Sequence, residues 1–166
     1  MQQPSTQPST GLSSKEIASR HIWIRPAEKK DAAALAELMG ELGYPTRTWD
    51  MEMRLEAILP DPEYRTFVAM CGATVCGMIG TCCMKSHEHN NVGGRIVALV
   101  VSEKHRGRGV GRTLVQAAEN DFIARNVRRV ALTTRLTREK AHLFYENLGY
   151  TKNGFRFVKE LEGLAD

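Results

Sequence analysis

Arg106-Gly107-Arg108-Gly109-Val110-Gly111-Arg112 is the stretch on which the reading of this chain turns. Before it, residues 96–101 (Ile-Val-Ala-Leu-Val-Val) form a run too uniformly apolar to face water, which predicts a strand at the centre of a sheet. After it, Val110, Leu114, Ala118 and Phe122 recur at helical spacing and predict an amphipathic helix that opens inside the motif. A strand, a glycine-rich turn and a helix N-terminus together make an anion site. Glycine lets backbone N–H groups approach a ligand, and the first helical turn leaves its donors unpaired. Arg106, Arg108 and Arg112 add positive charge. Two well-known phosphate loops do not fit. A Walker A loop ends in Lys followed by Ser or Thr, whereas Arg112 and then Thr113 stand at those places. A dinucleotide fingerprint would need its third glycine at Arg112 and an acidic residue about 20 positions on, where residues 130–134 read Val-Ala-Leu-Thr-Thr.

Working outward, residues 22–26 read as a first strand stopped by Pro26. A helix follows, with Asp31 at its cap or first turn and Ala32, Leu35, Leu38, Met39 and Leu42 on one face until Gly43 breaks it. Residues 48–59 predict a second helix, with Leu55, Ile58 and Leu59 on one side and Asp50, Glu52 and Glu56 on the other. Two β-rich runs, 66–71 and 75–84, flank a hairpin turn at 71–74. A polar loop over 85–94 leads to the central strand. Beyond the glycine motif come a strand over 130–134, a helix over 138–148, and a turn at 152–155 into a last strand ending near Leu161. The order is mixed α/β without an internal repeat.

The 166 residues, 42% apolar and 25% charged, suit one globular domain, read as residues 21–166. Residues 1–20 start with a Gln-, Pro-, Ser- and Thr-rich stretch that reads as a disordered tail and lacks the apolar core of a signal peptide. The longest clean apolar run has six residues against the roughly 20 of a membrane span, so no membrane association is expected. Cys71, Cys76, Cys82 and Cys83 show neither a CxxC pair nor a zinc-type Cys/His spacing. They read as small buried hydrophobes in a reducing cytoplasm, with no metal site. The net charge of +4 favours an anionic partner. Arg125, Arg128, Arg129, Arg135 and Arg138 form no single helix stripe and no aromatic motif accompanies them, so that partner is not nucleic acid.

Two motifs carry a family resemblance. Arg106, Gly109 and Gly111 spell R-x-x-G-x-G, which resembles the coenzyme A pyrophosphate loop of the GNAT superfamily of acetyl-CoA-dependent N-acetyltransferases. Downstream, residues 141–150 (Ala-His-Leu-Phe-Tyr-Glu-Asn-Leu-Gly-Tyr) resemble the family's A-H-x-F-Y-E-x-x-G-[FY] segment. The likeness runs over about residues 22–161. It implies an α/β (α+β) fold, a mixed and largely antiparallel sheet with helices on both faces, whose fourth and fifth strands splay apart to admit the pantetheine arm. It further implies acetyl-CoA as cosubstrate, no metal, a cytoplasmic setting, and a homodimer, since dimers are common in the family.

Carried over residue by residue, the backbone of Leu99, Val100 and Val101 would meet the pantetheine amides and polarise the thioester carbonyl. Arg106, Gly107, Arg108, Gly109, Val110, Gly111 and Arg112 would hold the pyrophosphate. Tyr145 matches the tyrosine that protonates the departing thiolate. A phenol of pKa about 10 holds its proton at neutral pH and can release it as a thiolate forms beside it. Phe144 reads as core, and His142 as a hydrogen-bonded structural residue. Where many members have a coenzyme-contacting Asn, this chain has Arg138, whose guanidinium would either reach a coenzyme phosphate or sit in solvent. The acidic residues that relay a proton in many members are replaced by Val97 and Ala98, which leaves the task to a water chain or another side chain. His87, Glu88 and His89 lie in a loop that borders the site on one reading and is an ordinary polar hairpin tip on the other. The acceptor, a primary amine of a small molecule or peptide, would meet Tyr44, Trp49 and Asp50. A competing reading is a coenzyme A-binding regulatory module without catalysis, which the missing strand carboxylates favour and Tyr145 opposes.

Overall fold

The computed structural model describes residues 21–161, so the expected tail over 1–20 lies outside the described residues, as do residues 162–166. Five strands lie in sequence order across one sheet: β1 (Ile22–Pro26), β2 (Tyr64–Cys71), β3 (Thr74–Met84), β4 (Gly93–Val101) and β5 (Val130–Leu132). The first three pairings are antiparallel, and β5 joins β4 in parallel. The helices are α1 (Ala32–Leu42), α2 (Thr48–Ile58), α3 (Val110–Ala124) and α4 (Glu139–Glu146).

Side chains alternate across the strands and so serve two cores. On one face, Leu35, Leu38 and Leu55 of α1 and α2 pack on Val68, Met70, Met78 and Val100. On the other, Val110, Leu114, Ala118 and Phe122, the predicted α3 stripe, are all at most 1% exposed and pack on Ala69, Ile79 and Ile96. A Cβ at Gly94 would stand 2.8 Å from the Phe122 ring, so only a glycine lets α3 settle on the start of β4. At the start of α1, Asp31 is 5% exposed and takes both guanidinium branches of Arg25 at 2.7 Å. It also accepts the Glu28 amide hydrogen at 2.8 Å. The expected cap thus turns back to weld β1 to α1.

Four expectations change. Residues 96–101 do sit between neighbours, but Val97 is 51% exposed. Gly80 faces Ala98 while Thr81 faces Ile96, so Val97 is the extra residue of a bulge. β5 is three residues long rather than five, and its pairing with β4 ends at Ile96 and Leu132. Beyond that point the strands part, as the resemblance implies. Residues 152–161 carry no strand, and Phe155, Phe157, Val158 and Leu161 lie 66–93% exposed. Alternation alone does not make a strand, which also needs ladder hydrogen bonds to a neighbour, and among the described residues the outer edge of β5 stays unpaired. Finally, Cys71 and Cys76 are joined in a disulfide instead of standing reduced, while Cys82 and Cys83 are free and buried. A second bulge, between Ala69 and Met70, inserts Cys76 into β3 and leaves its Cα 5.9 Å from that of Cys71.

Candidate functional site

The predicted site assembles where β4 ends. Leu99, Val100 and Val101 face Ile79, Met78 and Gly77 of β3, while β5 has already left their other side. The chain then passes through a short 3-10 turn, Glu103–His105, into the glycine motif and α3. Gly109, at φ +84°, sits in the left-handed region that favours glycine and turns the backbone directly into α3. Among the described residues, Thr113 N–H is the first amide of this helix to find a backbone acceptor, Gly109 O at 3.0 Å. The preceding amides are left at the positive end of the helix dipole, with Gly107, Arg108 and Gly109 exposed and Val110 buried as the anchor. No side chain or backbone atom lies within 4 Å of where a Cβ on Gly107 or Gly109 would stand, so the amides border open space of the kind a pyrophosphate fills.

The charges around this loop differ from the expectation. Arg106 is 3.6 Å from Glu41 and 3.5 Å from Glu103, and its Nε donates to the Val101 carbonyl at 3.0 Å. Its charge is therefore offset inside the protein, and the free positive charge belongs to Arg108 and Arg112. Glu41 also accepts the Glu103 amide hydrogen at 2.8 Å. It ties α1 to the loop, a role with no sequence signal because an exposed helical glutamate is the commonest of residues.

Gly111 has a different function from Gly109. A Cβ there would stand 3.3 Å from the Phe144 ring, so this glycine seats α4 against the first turn of α3. Phe144 joins the core as expected, and its neighbour Tyr145 meets it edge-on at 5.1 Å and Tyr150 at 5.7 Å. Burial pushes the Tyr145 phenol up to about 12, against a smaller pull downward from Arg138. Tyr150 donates its hydroxyl to Glu119 at 2.9 Å, and burial and that carboxylate hold its pKa well above the usual phenol range. His142 Nε2 lies 3.0 Å from the Arg135 carbonyl, in the structural position expected of it.

Arg138 is half-buried and donates through Nη2 to the Leu42 carbonyl at the end of α1. Arg135 lies 5.7 Å over the ring of Tyr44, which is itself half exposed. Tyr44 is thus drawn to the α4 end of the site, a contact no sequence pattern announced. Trp49 and Asp50 are not part of that grouping. Trp49 is 62% exposed, and Asp50 is clasped by Arg47 at 2.8 and 2.9 Å. His87, Glu88 and His89 belong to the opposite end of β4. Glu88 and His89 line, with Arg128 and Arg129, a cavity of about 640 Å³ at Gly93 and Gly94, and His89 lies 3.2 Å from Arg129. Eight residue steps of strand, on the order of 26 Å, separate Gly93 from Val101.

The acetyltransferase (GNAT) family model matches residues 32–150, which include both motifs. Aminoalkylphosphonate N-acetyltransferase of Salmonella typhimurium is 34% identical over 105 residues, covering 63% of this chain and 68% of that protein. N-alpha-acetyltransferase 30 of Homo sapiens is 33% identical over 98 residues, 59% of this chain and 27% of that longer protein. Among solved structures, a GNAT family acetyltransferase of Staphylococcus aureus is 26% identical, with a TM-score of 0.73 over 84% of this chain and 98% of its own. With the parted strands, the glycine turn and the tyrosine helix in one place, and with relatives of the same kind by sequence and by fold, the chain belongs to the GNAT acetyltransferase family.

Proposed function

We propose that this protein transfers an acetyl group from acetyl-CoA to the primary amine of a small molecule or peptide, by direct attack in a ternary complex. The observation that carries the proposal is the convergence on one end of β4 of three features: exposed amides at the start of α3, the gap left by β5, and the phenol of Tyr145. In the reaction the acceptor nitrogen attacks the thioester carbonyl, the carbon–sulfur bond breaks, and the proton on Tyr145 passes to the sulfur.

Each residue has a defined part. The amides of residues 107–112 hold the pyrophosphate, helped by the uncompensated charges of Arg108 and Arg112. The backbone at Leu99, Val100 and Val101 receives the pantetheine arm as an added strand and supplies a donor to the carbonyl oxygen. Arg106 must release the Val101 carbonyl for this, and Glu41 and Glu103 remain as its partners. Arg138 sits at the N-cap of the Tyr145 helix with one nitrogen on the Leu42 carbonyl, which leaves its other donors for a bound anion. No carboxylate occupies Val97 or Ala98, but the bulge leaves Val97 half exposed beside the gap, where water can take the proton lost by the amine. Tyr44 lines the acceptor side, next to Arg135. Asp50, already bound by Arg47, is not free to hold a cation, so Trp49 and Asp50 are peripheral to this reading.

The test is thermal melting with and without acetyl-CoA, followed by thiol release over a panel of amines. Acetyl-CoA at 100 times its dissociation constant should add about 2.7 kcal/mol. No melting shift would overturn the coenzyme site. A shift without thiol release from any amine would leave the coenzyme A-binding module as the function.

A further inference from the structure

We propose that Arg135 and Arg138 form a receptor for an anionic group on the acceptor, so that the amine acetylated belongs to a zwitterion carrying a phosphonate or carboxylate. This rests on the acetyl-transfer reading above and extends it to the chemical class of the acceptor.

The argument starts from where the positive charges go. Arg25, Arg47, Arg65, Arg106 and Arg125 each have a carboxylate within 4.0 Å. Among the described residues nine arginines have none, and Arg135 and Arg138 are the two of these that immediately precede α4. Both are nevertheless held in place. Arg138 is anchored at α4's N-cap with one nitrogen on the Leu42 carbonyl, and Arg135 is laid over the Tyr44 ring. Together they join the α1–α2 turn to α4, the helix that carries Tyr145, and the Arg138 charge reaches the Tyr145 phenol. Arg135 is exposed, but the half-buried Arg138 guanidinium gives up hydration and regains it through directed hydrogen bonds, and the Leu42 carbonyl satisfies one of its five donors. The remaining fork suits a planar carboxylate or a phosphonate face.

The expected cation seat, the Asp50 carboxylate, already carries Arg47. A polyamine would therefore meet like charge at this mouth, while a zwitterion would meet a partner for its anion. The same two charges disfavour the ammonium form of the bound acceptor. They thus act in the direction of the carboxylate base that Val97 and Ala98 do not provide.

The experiment compares kcat/KM for 2-aminoethylphosphonate, β-alanine, propylamine and putrescine. At least one of the two anionic amines should exceed propylamine by about tenfold or more, as expected of charge-assisted hydrogen bonds. Arg135→Gln should collapse that ratio through KM, and Arg135→Lys should retain part of it, since the charge remains but the planar fork does not. Equal or better use of propylamine or putrescine overturns the proposal, as does a ratio that Arg135→Gln does not move. Calorimetry with propylphosphonate in the presence of coenzyme A reads the receptor without turnover. The unaltered protein should take up the anion and Arg135→Gln should bind it more weakly, and an absence of heat in the unaltered protein refutes the receptor. Failure of acetyl transfer is separate: it would show as no thiol release from any amine while the calorimetric result still stood or fell alone.

Discussion

Replacing Tyr145 with Phe removes one oxygen and little else. The ring keeps its edge-on contacts with Phe144 and Tyr150, at 5.1 and 5.7 Å, and the hydroxyl makes no hydrogen bond among the described residues. Folding therefore loses nothing it relies on, and the melting temperature of Tyr145→Phe should stay within about 2 °C of the parent. Acetyl-CoA affinity should also stand, because the proposed pyrophosphate donors lie in the glycine turn and the first turn of α3, apart from Tyr145 on α4. Turnover should fall. With the phenol pushed up to about 12, only about one molecule in 10⁴ is ionised at pH 8, so the proton is in place throughout the working range. Loss of a positioned acid costs on the order of 100-fold, or about 2.7 kcal/mol of barrier. Stopped-flow thiol release at saturating acetyl-CoA and acceptor measures it. The sign of the pH dependence is a second check. A raised phenol pKa keeps the acid form present as pH rises past 10 and loses it only near 12, so any rise in kcat/KM between pH 6 and 9 reports the acceptor amine, with no falling limb from Tyr145 in that range. Unchanged kcat in Tyr145→Phe would refute the assignment, whereas a falling limb below pH 9 that disappears in the variant would keep Tyr145 as the acid and refute its raised pKa.

Two further outcomes follow from the same structure. Gly109→Val should weaken acetyl-CoA binding by tenfold or so in calorimetry, although a Cβ there meets no atom within 4 Å; the cost is the φ of +84°, about 1–2 kcal/mol or more for a β-branched residue, and unaltered affinity would refute the loop's role. Asp31→Asn should lower the melting temperature by roughly 6–10 °C, from about 3 kcal/mol for breaking a largely buried ion pair. The Arg25 guanidinium holds the Asp31 carboxyl below its usual range, so this stability is present above about pH 4 and is lost as pH falls through the depressed folded value. A variant whose acid midpoint matched the parent's would contradict that linkage.

The α3 stripe, the hairpin at 71–74 and the order of strands and helices were legible because they are periodic or are marked by turn residues, and period and turn chemistry are local. The glycine turn into α3 was legible for a related reason, since exposed backbone amides at a helix N-terminus need only glycines and the start of a helix. Residues 152–161 read as a strand by alternation and yet carry none, because pairing depends on an edge supplied elsewhere in the chain. Cys71 and Cys76 looked like packing residues, and a bulge placed one opposite the other.

The acceptor end depended most on distance along the chain. Arg138 lies 96 residues from the Leu42 carbonyl that orients it, and Arg106 lies 65 residues from Glu41, which offsets its charge. Asp50, by contrast, is withdrawn by Arg47 three residues away, a choice between partners made by side-chain geometry that composition does not express. Motif and periodicity were sufficient for the family and most of the fold, which rest on backbone conformation encoded within a turn or two. Which charges remain free to meet a substrate was settled by packing, because a charge's availability depends on every group that folding brings within about 4 Å of it.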